Sequence, residues 1–261
     1  MTRLMGVVNV TPDSFSDGGL YLDPEAAIAH GRELAAAGAE ILDVGGESTR
    51  PGAEAVSEEE ELRRVVPVIR GLRELDCELS VDTSKAPVAA AALDAGAAIV
   101  NDVTALRADP GMAALCAERG ATVVLMHMLG EPRTMQDDPR YEDVVAEVRA
   151  FLAERLEAAL AAGIAEERIW LDPGIGFGKT AEHNMELLRR LGELRELGRP
   201  LAIGTSRKSF IGRLDGSAAG ERLGGTIASS VLAAVEGAAV LRVHDVAEVR
   251  QALTVATAIL G

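Results

Sequence analysis

Short apolar runs rich in β-branched residues alternate along the whole chain with longer segments of helical period. The runs are "LMGVVNV", "AEILDVGG", "CELSVDT", "AAIVNDV", "ATVVLMH", "RIWLDPG", "PLAIGTS" and "AAVLRVH". Continuously apolar strands that alternate with helices predict a parallel sheet covered by helices. Eight such units in 261 residues favour a closed (β/α)8 TIM barrel over an open doubly wound sheet. Since no linker or change of composition interrupts the pattern, the sequence predicts one barrel domain over residues 1–261.

The charge balance of the chain argues against some classes of partner. The formal net charge is −15, whereas binding to a phosphate backbone requires a basic surface, so we expect no nucleic-acid partner. No stretch approaches the roughly 20 apolar residues of a membrane helix, and the N-terminus lacks the pattern of a signal peptide. Cys77 and Cys116 stand in apolar contexts without metal-ligand spacing, which indicates reduced core thiols. We therefore expect a cytoplasmic protein with no membrane partner.

Polar side chains are concentrated where the predicted strands end, which is the edge of a (β/α)8 barrel that carries the active site. All three lysines of the chain follow a strand, in "DTSK", "GFGKT" and "SRKS". Compositional drift and chance offer another explanation, but the clustering falls on one face of the predicted barrel. The strand-end residues are Asn9, Asp43, Asp82, Asn101, Asp102, His127, Asp172, Ser206, Arg242 and His244.

Two of the strand-end acids and one amide suit the recognition of a heterocycle. The carboxylates of Asp82 and Asp172 and the amide of Asn101 can accept hydrogen bonds from ring N–H and amino groups. A single strand-end Asp can equally cap a helix or hold a turn, and Asp43 is a candidate for that structural role. Neither acid has a neighbouring His at the spacing of a nucleophile–base pair, and no HExxH or CxxC motif predicts a tightly bound transition metal.

A cationic group follows the last two strands, where barrels often bind phosphate. Its members are Arg207, Lys208, Arg242 and His244. Asn9, at the end of the first strand, would lie next to the eighth strand in a closed barrel. Its carbonyl oxygen could bind a Mg²⁺ ion that also holds a phosphate group.

Several segments of the chain resemble the motifs of the dihydropteroate synthase family. "LMGVVNVTPDSFSDGG" and "GAEILDVGGESTRPGA" resemble the two signature segments of that family. "SVDTSK", "IVNDV", "LMHMLGEPRTMQ", "LDPGIGFGK", "GTSRKSFIG" and "RVHD" extend the likeness in family order over nearly the whole chain. The resemblance implies that 6-hydroxymethyl-7,8-dihydropterin diphosphate condenses with 4-aminobenzoate, and that dihydropteroate and pyrophosphate are released.

The resemblance also implies a role for each matching residue. The pterin would contact Asp82, Asn101, Met126, Asp172, Phe177, Gly204 and Lys208. The diphosphate and its Mg²⁺ cofactor would be held by Asn9, Arg242 and His244, with Asn9 as the metal ligand. The aminobenzoate would be framed by Phe15, Thr49, Arg50, Pro51, Phe177 and Ser209. Catalysis would rest on Asn9, Asp82, Lys208, Arg242 and His244.

In this family the reaction is thought to be dissociative, with departure of the diphosphate before attack by the neutral arylamine. The long first loop, "TPDSFSDGG", is then expected to close over the site with "GGESTRPGA" and to exclude water. The family further suggests a homodimer formed through helices on the barrel wall. Three alternatives stay open: a pterin-binding methyltransferase barrel, a non-catalytic pterin-binding paralogue, and an aldolase barrel in which Lys208 or Lys179 forms a Schiff base.

Overall fold

Eight parallel strands form the centre of the protein in the computed structural model, which describes residues 2–11, 23–48, 55–131 and 134–261. Each of the eight apolar runs in the sequence contains one strand. The strands are β1 (Arg3–Asn9), β2 (Ile41–Gly45), β3 (Glu78–Asp82), β4 (Ile99–Asp102), β5 (Thr122–Met126), β6 (Ile169–Asp172), β7 (Ala202–Ile203) and β8 (Val240–Val243).

Helices follow the strands and cover the outside of the sheet. They are α1 (Pro24–Ala36), α2 (Glu58–Leu72), α3 (Ala86–Ala95), α4 (Met112–Arg119), α5 (Val144–Ala161), α6 (Ala181–Arg189), α7 (Leu191–Arg195), α8 (Ser209–Asp215), α9 (Leu223–Val235) and α10 (Val246–Leu260). Side-chain oxygens of Asp23, Ser57, Asp143 and Thr180 accept backbone N–H groups where four of these helices begin. Such caps fix the points at which loops become helices. Among the helices of the described ranges, none is long and apolar enough to cross a membrane.

The sheet closes on itself through its two outermost strands. The strand order is β6-β5-β4-β3-β2-β1-β8-β7, and every neighbouring pair is parallel. Leu171 on β6 forms an isolated parallel bridge with Leu201, next to β7, and its N–H donates to the carbonyl of Pro200 at 2.9 Å. The predicted (β/α)8 barrel is thereby confirmed. β7 is only two residues long, so the barrel is held more weakly at this seam.

The interior of the barrel begins with an apolar layer at the amino-terminal side of the strands. Seven of the eight strands each contribute one buried side chain to it: Met5, Ile41, Ile99, Val124, Trp170, Ala202 and Val240. A larger core, between the sheet and the helices, contains Leu, Ile, Val and Ala side chains from the opposite strand face. The apolar inner layer fills the lower barrel, so it leaves the carboxyl end as the open side.

Candidate active site

The inward-facing positions become polar one step closer to the carboxyl ends of the strands. Side chains alternate along a strand, so residues two positions apart face the same side. Ile99 is followed in this way by Asn101, and Trp170 is followed by Asp172. The residues of this upper layer are Asp43, Asp82, Asn101, Met126, Asp172, Gly204 and Arg242. Strand geometry therefore brings acids, an amide and an arginine together at one level of the barrel.

A pocket lies above this polar layer. It is partly open to solvent, and the empty space in it and at its mouth amounts to about 470 Å³. All of the residues that the sequence predicted to contact a pterin line it, as do Arg242 and His244. The complete lining is Asp82, Asn101, Val103, Met126, Asp172, Ile175, Phe177, Gly204, Ser206, Lys208, Arg242 and His244.

Three polar side chains of the pocket each have one atom bound to protein and one oxygen left over. Asp172 Oδ1 accepts the N–H of Gly174 at 2.7 Å. Asp82 Oδ2 accepts Arg242 Nη2 at 2.8 Å, and Asn101 donates its amino group to Asp43 Oδ2 at 3.0 Å. Within the described part of the chain, Oδ2 of Asp172, Oδ1 of Asp82 and Oδ1 of Asn101 accept no hydrogen bond. This side of the pocket therefore offers acceptors to a ligand that carries N–H donors.

Burial controls the charge of these acids. It raises the pKa of Asp82, an effect that Arg242 opposes and the carboxylate of Asp43 reinforces. Burial also raises the pKa of Asp172, against the hydrogen bond from Gly174 and the positive charge of Lys208. A ligand with paired donors would favour the ionised carboxylates, because hydrogen bonds to the charged form lower the pKa.

The loop after β6 places Asp172 and Phe177 through glycines with left-handed backbone angles. Gly174 has a φ of +67°, and a Cβ added there would lie 1.9 Å from the carbonyl oxygen of His127. No other residue fits this position, because the loop passes directly against the end of β5. The loop brings Phe177 under Lys208, whose ammonium lies 4.1 Å from the centre of the Phe177 ring.

A buried lysine supports this loop from behind. Lys179 is 2% exposed; its Nζ donates to the carbonyl of Phe177 at 2.9 Å and lies 2.9 Å from His127 Nδ1. Burial lowers the pKa of Lys179 to about 7. Burial, with the charge of Lys179, also lowers the pKa of His127 to about 3. The hydrogen bonds of Lys179 thus go to the histidine and to loop carbonyls.

Arg242 and His244 bring donors to the same pocket. Arg242 is tethered by Asp43, which accepts Nε at 2.6 Å, and by Asp82. Burial acts to lower the pKa of Arg242, but the two carboxylates hold it above its usual value. Ser206 Oγ accepts the backbone N–H of His244 at 3.2 Å and lies 2.9 Å from its Nδ1, which fixes the plane of the ring.

One member of the predicted cationic group has a different place. Arg207 is exposed, has a left-handed φ of 56°, and binds Asp245 through Nη2 at 2.5 Å. It does not line the pocket. The sequence could not separate Arg207 from Lys208, because a tight turn after β7 sends two adjacent cations in different directions.

Asn9 ends β1 beside Asp82, and Gly45 leaves the space between them without a side chain. A Cβ at Gly45 would lie 3.8 Å from Asn9 Oδ1 and 3.7 Å from Asp82 Oδ2. In the described ranges no group of three or more His, Cys, Asp or Glu side chains could hold a metal by itself. One amide oxygen of this kind fits Mg²⁺, which commonly takes one or two protein oxygens and completes its shell with phosphates and water.

The predicted aminobenzoate contacts are only partly within the described ranges. Phe15, Thr49, Arg50 and Pro51 lie outside them. Ser209 is exposed at the first residue of α8 and does not line the pocket.

The chain just before Thr49 is nevertheless well anchored. Lys85 binds Glu47 and also Glu61, whose Oε2 lies 2.5 Å from Nζ. Arg64 donates to the carbonyl of Gly46 at 2.8 Å. These contacts tie the chain just after β2 to α2 and to the segment between β3 and α3.

The fold and the site together define a class of protein: a (β/α)8 barrel whose mouth presents acceptor oxygens beside cationic groups. A family model described as pterin binding enzyme matches residues 5–244. The dihydropteroate synthase of Escherichia coli K12 is 49% identical over 260 residues, which cover 99% of this chain and 92% of that protein.

Solved structures agree with the sequence comparison. The dihydropteroate synthase of Xanthomonas albilineans with 4-aminobenzoic acid superposes with a TM-score of 0.94 at 53% identity, covering 100% of this chain and 93% of that one. The same enzyme with 7,8-dihydropteroate gives a TM-score of 0.89 at 50% identity, covering 100% and 94%. The chain belongs to the dihydropteroate synthase family of pterin-binding enzymes, and the resemblance read from its motifs is confirmed.

Proposed function

We propose that the protein is a transferase that condenses 6-hydroxymethyl-7,8-dihydropterin diphosphate with 4-aminobenzoate and releases pyrophosphate. The observation that carries this proposal is the composition of a single pocket. Acceptor oxygens of Asp82, Asn101 and Asp172 share it with the cationic groups of Arg242 and Lys208. The structures of family members with 4-aminobenzoic acid and with 7,8-dihydropteroate support the same pair of ligands.

The dihydropterin would bind with its donor edge against the acids. Its N–H and amino groups face acceptor oxygens in this arrangement, and Asp172 can take two of them at once. Met126 and Gly204 leave a flat space for the ring. Lys208 would lie near the ring and close to Phe177, where it also offsets the negative charge of Asp172.

The diphosphate would lie on the side of Arg242 and His244. When the C–O bond breaks, negative charge accumulates on the leaving group, and fixed donors lower the energy of that state. Mg²⁺, with Asn9 as its protein ligand, would supply further charge neutralisation of the diphosphate oxygens. The carbocation that would remain is delocalised into the dihydropterin. The neutral amine of 4-aminobenzoate would attack it to form the C–N bond and then release one proton to solvent, so no strong general base is required.

The aminobenzoate would complete the site from the solvent side. Phe177 offers an apolar wall there, and Ser209, Phe15, Thr49, Arg50 and Pro51 are the further contacts that we propose for it. Exclusion of water by the two signature loops would protect the cation from hydrolysis. The contacts of Lys85 and Arg64 with residues 46 and 47 support a fixed base for the second loop.

We further propose that the protein works as a cytoplasmic homodimer formed through α9 and α10. These helices pack against each other and expose large apolar side chains: Leu232, Val235, Val255, Ile259 and Leu260. Burying such side chains in an interface is favourable by about 25 cal/mol per Å².

Light scattering coupled to gel filtration should show a dimer, and the double substitution Leu232→Asp with Ile259→Asp should dissociate it. Leu214→Asp, on α8 and 60% exposed, is the matched control and should leave the dimer intact. A monomeric wild-type protein would refute the proposal.

The decisive assay for function is pyrophosphate release from the dihydropterin diphosphate with Mg²⁺, with and without 4-aminobenzoate. We expect release that depends on 4-aminobenzoate and equals the dihydropteroate formed. Asp172→Asn should lower kcat/KM at least 100-fold, because sites that read donors discriminate by about 10⁴. Asp94→Asn, on the surface of α3, should keep full activity.

The alternatives give different results in the same assay. A non-catalytic paralogue would bind the pterin without turnover, and a methyltransferase would ignore 4-aminobenzoate. An aldolase would be trapped by borohydride with a carbonyl substrate. Wild-type protein that gives no release dependent on 4-aminobenzoate would overturn the proposed reaction.

A further inference from the structure

Asp43 is a wholly buried acid that the reaction does not use directly. It stands on β2, two positions after Ile41, and its side chain is 0% exposed. One oxygen, Oδ2, accepts both Arg242 Nε at 2.6 Å and Asn101 Nδ2 at 3.0 Å. The other oxygen, Oδ1, has no partner among the described residues. Oδ2 of Asp43 thus contacts both Asn101, which offers an acceptor to the pocket, and Arg242, which offers donors.

A purely structural role explains this arrangement poorly. A buried carboxylate with an unpartnered oxygen costs stability, and an apolar residue in its place is often neutral or stabilising. The neighbouring inward position on β2, Ile41, shows that this strand accepts apolar side chains in the barrel interior. What an apolar residue could not do at position 43 is direct the two polar side chains that touch it.

The chemistry of a carboxylate decides which end of the Asn101 amide faces the ligand. An ionised carboxylate only accepts hydrogen bonds, so Asn101 must turn its amino group toward Asp43. The carbonyl oxygen of the amide is then the atom left for the pocket. Without Asp43 the amide could rotate by half a turn and present N–H groups, which would repel the donor edge of a pterin.

Arg242 depends on the same oxygen. Its guanidinium is planar, so the hydrogen bonds from Nε to Asp43 and from Nη2 to Asp82 fix its orientation. In the described part of the chain Nη1 makes no hydrogen bond. Nη1 is therefore the nitrogen of Arg242 that can donate a hydrogen bond to an anion in the pocket.

We propose that Asp43 is a positioning residue, which turns the acceptor of Asn101 toward the pterin and holds the guanidinium of Arg242 in place. The inference rests on the proposed function, because it takes the ligand to be a pterin. Asp43 does not line the pocket, so we expect its effect on pterin affinity to act through Asn101. This dependence distinguishes positioning from a general contribution to folding.

A double-mutant cycle tests the inference with 6-hydroxymethylpterin as the unphosphorylated probe and its Kd as the readout. In the otherwise wild-type protein, Asp43→Ala should raise the Kd at least 10-fold. On the Asn101→Ala background the same substitution should raise it less than twofold, because the group that Asp43 orients is gone. Steady-state assays of Asp43→Ala should show a higher KM for the pterin diphosphate, and kcat should fall as well, because Arg242 is released.

Glu61→Gln is the matched control, since Glu61 is also 0% exposed and also has one unpartnered oxygen, Oε1, but binds Lys85 outside the pocket. It should leave the Kd within twofold of wild type. If Asp43→Ala does not fold, as judged by circular dichroism, Asp43→Asn replaces it with an expected rise of at least threefold.

Equal effects of the Asp43 substitution on both backgrounds, or a Kd within twofold of wild type in the single variant, would overturn the inference. Failure of the wild-type protein to bind the pterin would instead overturn the proposed function.

Discussion

Lys179 gives the fold a pH dependence whose sign is set by its burial. The residue is 2% exposed, and burial lowers the pKa of its ammonium to about 7 from the 10.5 of a free lysine. Asp172 opposes this shift, and Lys208 adds to it. Between pH 7 and 10.5 the unfolded chain therefore binds a proton that the folded protein has released. Stability must rise with pH over that interval.

The magnitude follows from the linkage between proton binding and folding. One proton bound only by the unfolded chain changes the free energy of unfolding by about 1.36 kcal/mol per pH unit. Between about pH 7.5 and 9.5 the lysine should therefore add about 2.5 kcal/mol to the free energy of unfolding. Lys179→Met removes the titrating group. The free energy of unfolding of wild type minus that of this variant should therefore increase by that amount as the pH rises from about 7.5 to 9.5.

Urea denaturation of both proteins at several pH values in this range measures the difference directly. Other basic groups titrate equally in the two chains and cancel. Lys85→Arg serves as a control. Partial burial acts to lower the pKa of Lys85, but its hydrogen bonds to Glu47 and Glu61 raise it. Lys85 is thus protonated in both states over this range, and its variant should differ from wild type by a constant amount. A Lys179→Met curve parallel to that of wild type within about 0.5 kcal/mol would refute the reasoning.

Two substitutions test other parts of the site. Gly174→Ala should destabilise the protein by at least about 2 kcal/mol, because left-handed angles cost a non-glycine residue about 1–2 kcal/mol and the new Cβ would collide with the carbonyl of His127. A thermal melt measures this, and an unchanged Tm would contradict the close approach. Lys208→Met should weaken pterin binding about 5- to 30-fold, from the loss of a cation beside Phe177 and Asp172. Fluorescence titration measures it, and a Kd within twofold of wild type would contradict the role.

The fold could be predicted because its signal is repeated. Each of the eight strands lies in one of the eight apolar runs, to within one residue. The pocket residues could be predicted because every strand end of a closed barrel reaches the same edge. That rule alone was enough to predict that Asp82, Asn101 and Asp172 lie close together.

The partners within the pocket could not be predicted from the sequence. In a parallel barrel both faces of a strand are buried, so no alternation of polar and apolar residues reveals which strand residues face inward. Asp43 was therefore a candidate for a structural role, although it is in phase with Ile41 and binds Arg242 and Asn101. Only the structure identifies Ile41 as an inward residue, and counting two positions from it then leads to Asp43. The pairing of Lys179 with His127 depends on a glycine-rich loop whose path has no comparable period.

One pocket is proposed to hold two ligand groups, with acceptors that bind a pterin and donors that bind an anion. Separate titrations of Asp172→Asn and His244→Gln with 6-hydroxymethylpterin and with pyrophosphate in Mg²⁺ test this directly. Asp172→Asn should raise the Kd for the pterin at least 10-fold and leave pyrophosphate binding within threefold, whereas His244→Gln should show the reverse. Equal losses for both ligands in both variants, or no loss in either, would contradict it.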